Sequence, residues 1–208
     1  MTKHITLIGD SIFDNKTYVP DGKSVHEHLM DQLVSPDTAS LVAVDGAIVN
    51  SVLRQIERIP KETTHLVLSV GGNDALYLQL SVMGESSDSV HSSLSKMKAT
   101  LQTFEQQYKQ VICELQRLEL PLTVCTIYDA VPGLDDASLA GLAIINDIIT
   151  RIAFKEKLTL IDLRLLCDEI GDYSQVSPIE PSHSGGQKIA SAIIQAVSFI
   201  STSSRVYC

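Results

Sequence analysis

Tryptophan is absent from this sequence, and aromatic residues of every kind make up only 5% of it. Stacking sugars or unpaired bases calls for more aromatic surface than that, so polysaccharide and single-stranded nucleic acid are poor partners and a small substrate fits better. Positive charge is also scarce: 16 Lys and Arg stand against 25 Asp and Glu, a net charge of −9, with no basic cluster. A phosphate backbone finds no electrostatic footprint, which argues against nucleic acid. The amino terminus shows no charged, apolar and small-residue succession of an export signal, and no apolar run approaches the roughly 20 residues a membrane helix needs. The cysteines Cys113, Cys125, Cys167 and Cys208 are scattered without metal-ligand spacing, the first three in apolar surroundings suited to reduced thiols. These absences lead to the expectation of a cytoplasmic protein with no metal and no cofactor.

What is plentiful is apolar sequence. Of 208 residues, 44% are hydrophobic, enough for one domain spanning residues 1–208. The run Ile5 to Ile8 predicts a strand that stops at Gly9 and passes through Asp10-Ser11 and a loop, Phe13 to Pro20, toward a helix carrying Val25, Leu29, Met30 and Leu33. Ser40 to Val44 predicts a buried strand, followed by Asp45-Gly46 and a helical run with Ile48, Val52, Leu53 and Ile56 that Pro60 closes. Leu66 to Val70 predicts a third strand, ending at Gly71-Gly72-Asn73-Asp74, with a short apolar helix over 75–83. Strand-loop-helix units in succession call for a parallel sheet with right-handed crossovers.

From Val90 to Leu118, apolar residues recur at alternating spacings of four and three. Such a stripe suits either a helix crossing the sheet or a coiled-coil seam, the second of which would make this helix, 89–118, a homodimer contact. A fourth strand over 121–127, a helix over 137–154, a fifth strand over 158–163, an irregular loop over 171–184 and a final helix with Ile189, Ile193, Val197 and Ile200 complete the pattern.

Ligands of open α/β sheets bind at the carboxyl ends of the strands, which makes Ser11 a candidate nucleophile; a hydrogen-bonded turn is the plain alternative. A serine needs a base, usually histidine. His4 and His65 begin strands, on the wrong edge; His26, His28 and His91 fall on predicted helices. His183 alone lies in a loop on the edge of Ser11. Glu180, three residues earlier, can orient that imidazole, or it can complement a final helix capped by Ser182 or Ser184. For an oxyanion, the backbone N–H groups of Ser11 and Gly46 and the side-chain amide of Asn73 are candidate donors, the last two also being ordinary turn residues.

Taken together, these blocks resemble those of the SGNH hydrolases, the GDSL esterase and lipase superfamily: Gly9-Asp10-Ser11-Ile12, Gly46 in Val44-Asp45-Gly46-Ala47, Gly71-Gly72-Asn73-Asp74, and His183. The resemblance implies an α/β, three-layer flavodoxin-like fold with a five-stranded parallel sheet of order 2-1-3-4-5. It also implies hydrolysis through an acyl-enzyme on Ser11, with His183 as base. Two residues depart from the family pattern: Ile12 replaces leucine, and Glu180 replaces the aspartate of Asp-x-x-His. Asp10 and Asp74 are alternative carboxylates, structural in that family.

The leading expectation is therefore a carboxylic ester hydrolase for a small or medium acyl ester, with esterase, thioesterase or lysophospholipase activity. Leu76, Tyr77 and Tyr128, in the loops at the site edge, are the expected substrate contacts. Acyl transfer to another alcohol would use the same residues. A protein holding an anion or small molecule without turnover is the reading from another class.

Overall fold

The structure is a computed structural model and describes residues 2–83, 85–86, 88–198 and 206–207. Strand β1 (His4–Gly9) alternates in the way a doubly covered strand must: Ile5 and Leu7 face one helical layer, Ile8 the other, all fully buried. The same alternation continues in β3 (His65–Ser69), β4 (Leu122–Cys125) and β5 (Thr159–Ile161), whose Leu66, Leu68, Val124 and Leu160 look one way and Val67, Cys125 and Ile161 the other. With β2 (Thr38–Leu41), these strands form a parallel sheet of order 2-1-3-4-5. A short strand β6 (Val206–Tyr207), which the apolar pattern does not announce, pairs with β5 at the far edge.

Two helical layers cover the sheet. On one face lie α1 (Val25–Gln32) and α7 (His183–Ser198), with the short α6 (Leu163–Leu166). A capping box starts α1: the Ser24 hydroxyl accepts from the Glu27 N–H while the Glu27 carboxylate accepts from the Ser24 N–H, so the helix opens at Val25. On the other face lie α2 (Val52–Ile56), α4 (Val90–Gln116) and α5 (Asp136–Lys155). The stripe of α4 serves the sheet: Leu101, Phe104, Tyr108, Val111 and Leu115 are buried in the core, while Val90 and Leu94 near its start remain exposed. Helix α5 is apolar and long enough to cross a membrane by length and composition, longer than the sequence reading allows; half of that stretch is buried, with Ile145, Ile149 and Ile152 in the core.

Several local expectations shift. Strand β2 is an edge strand and only partly buried; it starts two residues earlier than expected and ends three earlier, because the Val42 and Ala43 N–H groups both turn onto the Leu7 carbonyl at 2.9 and 3.1 Å and end the ladder. The helical run after Gly46 is a 3-10 turn, Val49–Ser51, leading into α2. Helix α3 (Gly72–Leu78) begins inside the Gly-Gly-Asn-Asp block and runs on as a π turn to Met83. Cys113 is exposed, whereas Cys125 and Cys167 are buried thiols. Ile200 and Cys208 lie outside the described residues.

Candidate active site

Strand β1 ends where its neighbours can no longer pair with it. Gly9 takes φ 132°, and a Cβ there would run into the Ser69 carbonyl, so only glycine permits this close approach to β3. The Asp10 N–H then donates to the Ser69 carbonyl at 3.0 Å, and the chain turns to place Ser11, 7% exposed, above the strand end. The buried amide of Gln55 closes the other side: its Nε2 donates to the Gly9 carbonyl at 2.7 Å and its Oε1 accepts from the Gly9 N–H at 2.8 Å. Nothing in the spacing of the sequence singles out Gln55, which reads as a polar position of a surface helix.

Ser11 lines a cavity of about 80 Å³ whose walls include Leu76, Leu78, Ile127, Val131, Leu142 and Ile179. Asn73, on the first turn of α3, lines the same cavity; its Nδ2 donates to the Ala47 carbonyl at 3.0 Å. An amide nitrogen has two hydrogens, so one remains for a ligand while the first sets the side chain's direction. One turn on, Leu76 shares the face of Asn73 and forms part of the wall. Tyr77 sits on the next face, 65% exposed, in a groove with Thr100 and Phe104, and does not line the cavity of Ser11. Tyr128 does: it is buried, its hydroxyl donates to the Ile179 carbonyl at 2.7 Å, and its ring packs edge-on to Tyr173.

Gly46, expected as a backbone donor, is exposed at φ 75° and is not part of the cavity wall. Its conformation makes the turn that brings the Ala47 N–H to the Val44 carbonyl at 3.1 Å, and it is Ala47 whose carbonyl reaches Asn73.

The larger correction concerns His183. It is the first residue of α7 and exposed, and it is absent from the wall around Ser11. Ser182 caps the helix, its hydroxyl accepting from the Gly185 N–H at 3.2 Å, and this starts the helix early enough to turn His183 outward. The imidazole packs over Gly22, with its ring centroid 4.4 Å from that of His28, and its Nδ1 accepts the Lys23 N–H at 3.0 Å. The nitrogen that would have to face an orienting carboxylate is thus already occupied.

Glu180 points the other way. It is 4% exposed and lines the cavity beside Ser11, close enough for the serine hydroxyl to favour the ionised carboxylate. Burial outweighs that effect, with the charges of Asp10 and Asp45 adding to it, and pushes the carboxyl up to about 8. Its Oε2 is buried without a hydrogen-bond partner. The backbone around it is clamped: the Ser174 N–H donates to the Glu180 carbonyl at 2.8 Å, the Glu180 N–H to the Ser177 carbonyl at 3.0 Å, and Asn15 Nδ2 to the Pro181 carbonyl at 3.1 Å.

Of the two alternative carboxylates, Asp10 is buried and accepts the Ile12 N–H at 3.2 Å, and the N–H groups of Gly72 and Gly71 at the start of α3 favour its ionised form. Burial above all, helped by Asp74, raises it to about 7. Asp74, whose carboxyl burial also raises, accepts the Val49 N–H at 3.0 Å. Both are bound to backbone.

No protein-family model matches the sequence, and no curated protein matches it. Solved structures do. A lipase from a goat rumen metagenome, Lip_vut3, superimposes with a TM-score of 0.72 at 14% identity, covering 94% of this chain and 97% of its own. The acetyl xylan esterase AlAXEase superimposes with a TM-score of 0.70 at 19% identity, covering 93% and 99%. A lipolytic protein of the G-D-S-L family from Veillonella parvula does so with a TM-score of 0.69 at 18% identity, covering 96% and 100%. The chain has the three-layer fold these proteins share.

Proposed function

We propose that this protein is a carboxylic ester hydrolase for short acyl esters, with Ser11 as the nucleophile. The observation that carries the reading is the placement of Ser11 and a directed Asn73 amide on the wall of one apolar cavity. An acyl chain in that cavity would present its carbonyl to Ser11, and the free hydrogen of Asn73 Nδ2, with the Ser11 N–H, would receive the oxygen as it becomes negative. A volume of about 80 Å³ holds roughly three water-sized groups at ~30 Å³ each, which suits an acyl chain of a few carbons. Lipases and acetyl xylan esterases among the proteins of the same fold support the same class of reaction.

A fluorophosphonate probe tests the reading, since it reacts with an activated serine. Wild type is expected to label at Ser11 and to hydrolyse p-nitrophenyl esters with a preference for short chains, and Ser11→Ala to lose both by several powers of ten with its melting temperature preserved. The exposed position of His183 favours one competing reading, a binding protein without turnover; a wild type that never labels would establish it.

A further inference from the structure

We infer that the group which takes the Ser11 proton is the carboxylate of Glu180, and that His183 stands outside the chemistry. The inference rests on the reading of Ser11 as nucleophile and adds its base. Its ground is the geometry: in Glu180-Pro181-Ser182-His183 the two ends face opposite ways, the carboxyl into the cavity of Ser11 and the imidazole onto the surface beside Gly22.

A buried carboxyl oxygen without a partner, as Glu180 Oε2 is, costs stability unless the site uses it. It cannot easily escape to water, because the chain on both sides of it is held. Tyr173 pairs with Pro181 in an isolated antiparallel bridge, Asn15 donates to the Pro181 carbonyl, and the Tyr128 hydroxyl donates to the carbonyl of the preceding Ile179. Asn15 is itself fixed, its Oδ1 accepting the Val25 N–H at 3.0 Å at the start of α1. Glu180 is thereby pre-set at the serine by elements from both ends of the chain.

An ordinary carboxylate is too weak a base to activate serine near neutral pH. Here the groups facing Glu180 are Asp10 after β1, Asp45 after β2 and the phenols of Tyr18 and Tyr128, with the Ser11 hydroxyl beside it. Burial and these acidic neighbours bring the carboxyl to about 8, in the range where a base can accept a proton and later return it.

The proton balance closes. As Ser11 Oγ bonds to the ester carbon, its proton passes to Glu180 and the carbonyl electron pair moves to oxygen. When the carbon-oxygen bond to the alcohol breaks, the Glu180 acid protonates the leaving oxygen. A water then attacks the acyl carbon, giving its proton to Glu180, and Ser11 Oγ leaves and recovers that proton. Ester and water become acid and alcohol.

The test compares fluorophosphonate labelling rates across about pH 6 to 10 for wild type, Glu180→Gln, Glu180→Asp and His183→Gln, with folding checked by thermal melting. Wild type should label at Ser11 with a rate rising through an inflection near 8. Glu180→Gln should fall by ~10²-fold or more and lose the inflection, Glu180→Asp should recover part of the rate with an inflection of its own, and His183→Gln should stay within about threefold of wild type. If His183→Gln loses the labelling while Glu180→Gln keeps it, Glu180 is overturned and Ser11 as nucleophile stands. If wild-type Ser11 never labels, the nucleophile fails and the base with it.

Discussion

Asn73 shows how one side chain can be both fixed and available. Its bond to the Ala47 carbonyl spends one amide hydrogen on direction, and only the other is left for an oxyanion. Asn73→Ala should therefore lower kcat by ~10²-fold or more with little change in KM, because the lost donor acts on charge that appears only in the transition state. A steady-state comparison decides it: raised KM with unchanged kcat would make Asn73 a substrate contact. Tyr128 works at the same scale through its hydroxyl. Tyr128→Phe leaves the Ile179 carbonyl without its donor, and should cost about 1 kcal/mol of stability by urea unfolding. It should also lower activity by loosening the residue before Glu180, which an ester assay on the same preparation reads.

At the scale of elements, the sheet solves one problem twice. Strands β1 and β4 carry residues past the end of a neighbour, and the backbone groups exposed there are met by a buried amide side chain: Gln55 on α2 for Gly9, Asn146 on α5 for Ile127, whose N–H donates to Asn146 Oδ1 at 2.8 Å and whose carbonyl accepts from Nδ2 at 2.7 Å. Each amide continues the ladder in place of an absent strand, at the edge where the site lies. Removing one leaves peptide groups without a partner, the N–H of Gly9 or both groups of Ile127, while the Gly9 carbonyl keeps the Val44 N–H at 3.1 Å; each such group costs about 1–3 kcal/mol. Gln55→Leu and Asn146→Leu should each shift the urea midpoint downward with the slope unchanged, and Gln55→Leu should also reduce labelling of Ser11, which stands two residues from Gly9. The buried portion of α4 obeys a similar logic, since the seam positions that could serve a coiled coil are spent on this sheet.

For the whole molecule, the acidic pair Asp10 and Glu180 makes stability depend on pH in the direction opposite to that of salt-bridged carboxylates. Their carboxyls stand at about 7 and about 8, above the roughly 4 of an unfolded chain. Between about pH 4 and 8 the folded protein thus holds more protons than the unfolded one, and stability from these groups falls as pH rises through that window. It is fully present below the unfolded values and gone above the folded ones. Glu180→Gln removes one of the two groups. Its melting temperature relative to wild type should therefore climb from pH 4 to pH 8 and level off beyond, a difference that paired melts at each pH can measure. A constant difference would mean that Glu180 titrates normally.

The apolar runs of β1 and β3 and the stripes of α4 and α7 are local patterns, so the layered parallel sheet was legible in the residues themselves. So was the position of Ser11 and Asn73, because each lies within four residues of a strand end and the topology carries it to the site edge. The choice between Glu180 and His183 was not. Three residues apart in one loop, they are separated by where α7 begins, and that depends on Ser182 as cap, on Gly185 lying so close to the Asp172 carbonyl that no Cβ fits, and on the bridge from Tyr173 to Pro181. Gln55 and Asn146 were hidden for a similar reason: a polar residue on an amphipathic helix reads as surface until another element is packed against it. Period and spacing determine what a segment becomes along its own axis; which side chain reaches the cavity is decided by contacts between segments up to 166 residues apart, such as Asn15 with Pro181, and only the folded chain contains those.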